Sequence, residues 1–420
     1  MRIHREHLAL LAALQVAACG SVGDAPSEAG WQAVIDTVAD TITVRTTSGS
    51  VWGDTATLVA EVSVGVMEGA NEYIIGDPIS IAVASDGTLM VLDAQVPVLR
   101  VYGTDGVHLR DIGREGGGPG EYDSPDAMAV LPDGRILVRD PANSRISVFS
   151  PEGESLEQWP LSGGFNTNER FYVDTAGRSH ATALLSRGAA PWDWEFGLVR
   201  YSPNGEILDT LVAPVFEYER AQLTASREGS RSVRSVPFTA RTDWSYSPLG
   251  YMVGGVSTDY RIDLYKDDGV LRIERDWTPV PVTEEEADEQ RRRITQSLQR
   301  QYGGWRWNGP SVPDAKAPFK EIFVSDEGNI WVSLATAGVP RMSVAEAREE
   351  EQASGRLPLR FEEPPAFDVF APDGRFLGHV SVPRSFRIEP EPIVRGDYVW
   401  AVARDEFDVA SVMRFRIVVP

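Results

Sequence analysis

Two tryptophan pairs are the residues best suited to holding a ligand. Trp192-Asp193-Trp194 and Trp305-Arg306-Trp307 each set two indoles around one charged side chain. Flat apolar faces beside an oriented carboxylate or guanidinium suit sugar rings and other planar ligands. The same residues would serve equally to pin a loop to its support. A second cluster, Arg139, Asp140 and Arg145, has Asp93 at the matching point 47 residues earlier. Asp405, Glu406 and Asp408 offer oxygens to calcium but lack the regular spacing of a calcium loop. The glycine-rich run 116–120 neither precedes a helical pattern nor carries a following lysine, so it is not a phosphate loop. The chain has 5 histidines, and only His108, His180 and His379 lie beyond its first 18 residues. That is little material for a transition-metal site or a Ser-His-Asp triad, and no Gly-x-Ser-x-Gly elbow is present. Acids are abundant enough for a two-carboxylate mechanism, but abundance marks no particular pair.

Composition narrows the classes further. The 420 residues carry 62 acidic and 40 basic side chains, a formal charge of −22. Nucleic-acid binding needs a basic footprint, so nucleic acid is excluded as a partner. One cysteine excludes an internal disulfide framework and any multi-cysteine metal site. An apolar fraction of 42% is that of a folded globular chain.

The elements that must position these residues follow from an internal repeat. Pro78-Ile-Ser-Ile-Ala-Val-Ala-Ser-Asp-Gly-Thr-Leu-Met-Val-Leu-Asp93 aligns without a gap on Pro125-Asp-Ala-Met-Ala-Val-Leu-Pro-Asp-Gly-Arg-Ile-Leu-Val-Arg-Asp140. Each unit is an apolar run, a tight turn and a second apolar run, which is a hairpin signal. A second turn follows, so each unit holds four strands, a to d. Turns of the a–b type fall at Gly87, Gly134, Gly177, Gly250, Gly328 and Gly396. Turns of the c–d type fall at Gly106, Gly153, Gly205, Gly269 and Gly374. The sixth unit runs out of chain, and its missing strand is expected from the N-terminal side, at 57–65. This predicts an all-β fold, a six-bladed β-propeller closed by an N-terminal strand, with helical insertions on one face.

Asp140-Pro-Ala-Asn-Ser-Arg-Ile-Ser-Val-Phe149 and the run 113–122 resemble NHL-type repeats. The span 51–420 resembles the six-bladed propeller lipoproteins of environmental bacteria. In NHL-type repeats the Asp-x-x-Asn-x-Arg spacing mostly ties a loop to its blade. The resemblance implies a fold and a cell-envelope address, and no reaction.

The N-terminus reads as that address. Arg2 and Arg5 precede the apolar run 8–16, which is far below the roughly 20 residues of a membrane-spanning helix. It matches the hydrophobic region of a secretory signal. Val16-Ala17-Ala18-Cys19 resembles a bacterial lipobox, which implies lipidation of Cys19. The domain reading is then a signal at 1–18, a tether and N-terminal extension at 19–50, and the propeller at 51–420. The protein is expected to be exported and lipid-anchored in the bacterial cell envelope. Gly20 and Ser21 carry no inner-membrane retention aspartate, which favours the outer membrane.

Turn spacing locates the loops that carry function. Turn glycines lie 19 apart in units one, two and four, but 28 and 46 apart in units three and five. The d–a crossings after units three and four are long as well. The main insertions fall at 213–240, 279–318 and 336–365. In a propeller blade, b–c and d–a connections leave on one face, so all four excursions belong there. Function follows loops held by a rigid scaffold. The longest crossing predicts a helix: Thr283-Glu-Glu-Glu286 is a capping box. Ala287, Ile294, Leu298 and Tyr302 form a narrow apolar stripe. Asp288–Arg292 and Glu289–Arg293 are spaced as ion pairs. Ser343-Val-Ala-Glu346 starts a second helix in the same way.

The leading functional reading is a non-enzymatic binding module that takes a glycan, peptide or envelope protein through the insertion face. Its ligand residues are expected among Trp192, Asp193, Trp194, Trp305, Arg306, Trp307, Arg139 and Asp140. No cofactor is expected. The alternative is a lactonase-like hydrolase or lyase that uses calcium and carboxylates in the central channel. Three or more converging Asp, Glu or Asn oxygens at the channel mouth would favour that enzyme. A purely structural scaffold would instead show a broad apolar patch.

Overall fold

The computed structural model describes residues 23–24, 30–162, 171–188 and 193–420. Six antiparallel four-stranded units form a six-bladed β-propeller. Blade one holds Pro78–Val83, Leu89–Asp93, Val98–Tyr102 and His108–Ile112. Blade two holds Ala127–Val130, Ile136–Asp140, Arg145–Phe149 and Ser155–Pro160. Blade three holds Phe171–Val173, Ser179–Ser186, Glu195–Tyr201 and Ile207–Val212. Blade four holds Thr242–Ser247, Tyr251–Val256, Arg261–Lys266 and Gly269–Arg275. Blade five holds Phe319–Val324, Ile330–Leu334, Ala366–Phe370 and Phe376–Ser381. Blade six takes Ile393–Arg395, Tyr398–Arg404 and Ala410–Val418 from the C-terminus, and Ala56–Val64 as its outer strand.

All eleven turn glycines read from the sequence have positive φ, between 55° and 136°. Only glycine reaches that region without a Cβ clash, which is why the turns stay tight at this end. The closing strand pairs antiparallel with the C-terminal one, Val64 opposite Val412 and Thr57 opposite Val418. Its first residues also pair in parallel with blade five, Ala56 opposite Val380. One N-terminal strand therefore joins the last two blades and leaves the ring without a free end.

A cation from one blade reaches a c–d-turn carbonyl of the next at several boundaries. Arg135 Nη2 donates to Pro203 O (2.6 Å), Lys266 Nζ to Pro372 O (2.9 Å) and Arg414 Nη1 to Thr104 O (3.0 Å). An aromatic ring four residues before most c–d glycines fills each sheet. Tyr102, Phe149, Tyr201 and Phe370 are all at most 1% exposed. In those four blades the register shifts at that ring, a bulge that sharpens the twist.

The N-terminal extension contributes folded structure of its own. Gln32–Val38 and Thr41–Ser48 form a hairpin. Its second strand pairs in parallel with the outer strand of blade four, from Thr41 opposite Val270 to Thr46 opposite Arg275. Trp31, Ala33 and Val44 join the core between blades four and five. Burial of these side chains holds the hairpin down.

The insertions build a cap. Its parts are the hairpin Gln222–Arg227/Ser230–Ser235, helix α1 (Glu284–Tyr302), helix α2 (Val344–Ser354) and the strand pair Val339–Pro340/Phe361–Glu362. Both helices start with the capping boxes read from the sequence. The α1 stripe packs as expected: Leu298 and Tyr302 are buried with Leu223, Val236 and Val312, and Ala287 and Ile294 lie against them. The expected pair Asp288–Arg292 forms at 2.9 Å. Glu289 does not turn to Arg293. It is 4% exposed and accepts from the Arg360 and Phe361 amides, tying α1 to the blade-five insertion. Two backbone donors in a dry setting outcompete a solvated arginine.

Candidate functional site

The cap encloses two cavities that share a wall. The larger, about 720 Å³, lies over blade four and is lined by Tyr218, Phe238, Tyr260, Trp277, Arg45 and Glu274 among others. The smaller, about 220 Å³, has Phe319 and Lys320 from the inner strand of blade five in its wall. Phe238, Thr239, Ala240, Lys316 and Ala317 face both cavities.

Lys316 is the post of that wall. It is 4% exposed and donates to Glu286 Oε1 (2.8 Å) and Thr336 O (3.0 Å), with Glu363 at 3.2 Å. Its ammonium sits 4.8 Å above the Phe238 ring. Burial alone would raise the Glu286 carboxyl, but Lys316 and the Thr283 donors hold it below the usual carboxylate range. Three insertions thus meet on one ammonium: 213–240 through Phe238, 279–318 through Glu286, and 336–365 through Thr336 and Glu363.

The outer wall is charged and paired. Arg45, from the N-terminal hairpin, and Arg261 both contact Glu274, at 3.0 and 3.2 Å. Burial would raise the Glu274 carboxyl, yet the Arg45 bond and the two guanidinium charges bring it down. Behind this wall, Asp368 is fully buried between blades four and five. It accepts from Tyr260 Oη (2.6 Å) and Arg275 Nη1 (2.5 Å), and His379 Nδ1 lies 2.5 Å from its other oxygen. Arg275 Nη2 lies 3.2 Å from His379 Nε2, which calls for the Nδ1–H tautomer. Burial, then the neighbouring carboxylate, pushes the Tyr260 phenol far above its ordinary value. The cluster clasps two blades through the Asp368 carboxylate. Nothing local in the sequence marked it, because Tyr260 and Asp368 are 108 residues apart.

The residues singled out from the sequence are placed as follows. Trp305 is 9% exposed and donates from Nε1 to Thr224 O at 2.8 Å. Trp307 donates to Pro310 O at 2.8 Å, and Arg306 is exposed. Both indoles pack the cap to itself, and none of 305–307 lines either cavity. Trp192 and Cys19 lie outside the described residues. Asp193 is exposed, and Trp194 is half-buried with the Arg187 guanidinium 5.3 Å over its ring. Asp193 and Trp194 line neither cavity.

Arg139 and Asp140 are buried in blade two. Arg139 pairs with Asp126. Asp140 accepts from the Asp123 and Ser124 amides (both 3.0 Å) and from Asn143 Nδ2 (2.7 Å). Arg145 donates to the Gly117, Gly118 and Glu121 carbonyls. Asp93 repeats the plan in blade one, accepting from Gly76, Asp77 and Gln95 amides and from Arg100. These carboxylates hold the blade crossings in place. Asp405 Oδ1 takes the Phe407 and Val409 amides, and Asp408 is an αL turn residue. Among the described residues no three His, Cys, Asp or Glu side chains converge as metal ligands. The 220 Å³ cavity is lined by one carboxylate, Glu363, and by Arg220, Arg241, Lys316 and Lys320. That donor set does not fit calcium.

No protein-family model and no curated protein matches this sequence. The fold does match solved structures. A member of the DUF4221 family from Bacteroides vulgatus superposes with a TM-score of 0.51 at 11% identity, over 87% of this chain and 99% of that one. A streptogramin B lyase gives 0.41 at 10% identity over 86% and 98%. A gluconolactonase from Xanthomonas campestris gives 0.38 at 11% over 96% and 99%. At such identities the likeness is one of fold alone, and what this chain shares with the first of these proteins is the six-bladed propeller.

Proposed function

We propose that this protein is an exported, lipid-anchored binding module that takes a small polar ligand, of the glycan class, under its cap. The observation that carries the reading is the 720 Å³ cavity formed over blade four by the insertions 213–240 and 279–318 beside the N-terminal hairpin. Its volume lies in the range of small-molecule sites, roughly 300–1,000 Å³. Its wall alternates rings with paired charges, the mixture that orients a polyhydroxylated ring. Enzyme chemistry is not assigned. The ligand residues of this reading are Tyr218, Trp277 and the Arg45–Glu274–Arg261 group.

Binding is tested on the soluble chain lacking residues 1–19 by a glycan array followed by calorimetry. Trp277→Ala should weaken a wild-type hit at least tenfold while leaving the melting temperature within a few degrees. No glycan hit, or a hit indifferent to Trp277→Ala, overturns the reading. The anchor rests on Cys19 in its lipobox-like context. Among the described residues no helix is long and apolar enough to cross a membrane. Cys19→Ser should move the protein from the membrane fraction to the soluble fraction and abolish labelling by a radioactive fatty acid. Unchanged partition and labelling would remove the anchor from the proposal.

A further inference from the structure

The smaller cavity departs in charge from the rest of the molecule. The chain carries −22 overall, yet Arg220, Arg241, Lys316 and Lys320 stand against the single carboxylate Glu363 in this lining. Two of the cations have visible work. Lys316 is saturated by Glu286, Thr336 and Glu363, and Lys320 lies 3.3 Å from that same Glu363. One carboxylate is therefore divided between two ammonium groups. Arg241 is different. Its amide donates to Ser257 Oγ (3.0 Å), but among the described residues its guanidinium has no hydrogen bond or ion pair. The position is held by its backbone, so the fork is presented without being consumed.

Arg220 lines the same space. Its pKa is lowered, first by burial and then by the charge of Arg241. Tyr218 and Asp243 act on Arg220 in the opposite sense, while the charges of Arg220 and Arg241 repel across the same lining.

We propose that the 220 Å³ cavity is the oxyanion subsite of the capped site, and that the ligand is an acidic saccharide. Its carboxylate or phosphate lies on the Arg241 fork and Lys320, and its ring extends past Phe238 into the larger cavity. This rests on the binding reading above and names the chemical class of its ligand. Planar guanidinium forks take carboxylate and phosphate oxygens two at a time, which gives orientation as well as affinity. Because the two cavities share the wall of residues 238–240 and 316–317, one ligand of disaccharide size spans both. The ion pairs of Lys316 fix the wall, so Lys316 is a positioning residue and Arg241 a contact residue.

The test is calorimetry on the soluble chain with three probes: a dimer of hexuronate units, its neutral hexose counterpart, and a hexose 1-phosphate. The acidic dimer should bind at least thirtyfold tighter than the neutral one, and the preference should shrink as salt is raised. Arg241→Gln should erase most of that preference without moving the melting temperature, because the side chain makes no bond among the described residues. Lys320→Gln should reduce it about fivefold. Tighter binding of the hexose phosphate than of the hexuronate assigns the oxyanion to phosphate; the reverse order assigns it to carboxylate. Equal binding of acidic and neutral dimers, both sensitive to Trp277→Ala, overturns the oxyanion subsite and leaves the binding reading intact. Acid preference that survives Arg241→Gln also overturns it. Binding of none of the three probes overturns the acidic-saccharide assignment, and an array without hits overturns the binding reading separately.

Discussion

The two blade groups treat their buried charges in opposite ways on the same face of the ring. In blades one and two, Asp93 and Asp140 end their second strands, and their oxygens bond backbone amides of the adjoining loops, with Arg100 on Asp93 and Asn143 on Asp140. In blades four and five, Lys316 and Glu286 are as deeply buried, yet they tie three separate insertions around an open volume. The lesson concerns loop length. A short crossing can be closed by one carboxylate, and the bonded groups leave no space. A long excursion cannot be closed locally, so it packs on its neighbours, and cavities arise where the excursions meet.

This contrast is broken most strongly at the cap's own core. Trp305→Ala removes an indole that is 9% exposed and leaves Thr224 O without its donor. Truncation of a buried tryptophan costs about 4 kcal/mol. The loss should fall on the cap, read as faster hydrogen exchange in residues 222–235 and 284–312, while exchange in blades one and two stays unchanged. Equal acceleration in all blades would mean that the cap and ring unfold as one body.

Asp140→Ala attacks the other side of the comparison. It strips partners from the Asp123 and Ser124 amides and from Asn143, a loss of about 3 kcal/mol. Denaturant titration should register it in full. Affinity for any cavity ligand should stay within twofold, since Asp140 lies in the blade that has no insertion. A tenfold change in affinity would show that the crossings of blade two communicate with the cap.

These particular residues also show how much a linear reading can carry. The eleven turn glycines and both capping boxes depend on neighbours a few residues away, and all were legible; the closing strand, paired with a strand about 350 residues away, was legible only by counting the strands the sixth unit lacks. Asp140-x-x-Asn143-x-Arg145 was legible as a loop tie for the same reason. Trp305 looked like a ligand residue because an exposed indole and a buried one have the same letter; only Thr224, 81 residues away, decides between them. The basic lining was invisible, because Arg220 and Arg241 come from one crossing, Lys316 from the next and Lys320 from the first strand of blade five, and only the packed cap brings them together. The N-terminal hairpin alternates weakly, and its partner strand is more than 200 residues distant, so its parallel pairing left no local mark.

A third change tests the plain end of the ring, where the glycine turns lie. His180 is fully buried in the second strand of blade three, 3.1 Å from Asp174, with its ring 4.3 Å from that of Tyr246. Arg178 bonds the same carboxylate, and Arg200 lies close enough to act through its charge. Burial outweighs Asp174 and lowers the imidazole from 6.5 to about 4. The unfolded chain therefore takes up a proton as pH falls through 6.5, while the folded chain does not until about 4. Stability is lost across that window and not above it; between pH 7.5 and 5 the loss attributable to His180 is about 2 kcal/mol. Asp174 is also held below its ordinary value, by the Arg178 and His180 bonds against the cost of burial, so its own contribution fades at lower pH still. Replacing His180 with Gln should flatten the stability profile between pH 7.5 and 5, measured by denaturant titration at each pH. Around α1 the buried carboxyl Glu286 is held below the usual carboxylate range by the Lys316 and Thr283 bonds, so it stays ionised through this window. Hydrogen exchange at pH 5 should thus quicken at the boundary of blades three and four before it quickens around α1. The opposite order would place the acid-sensitive contact in the cap and reverse the comparison of the two ends.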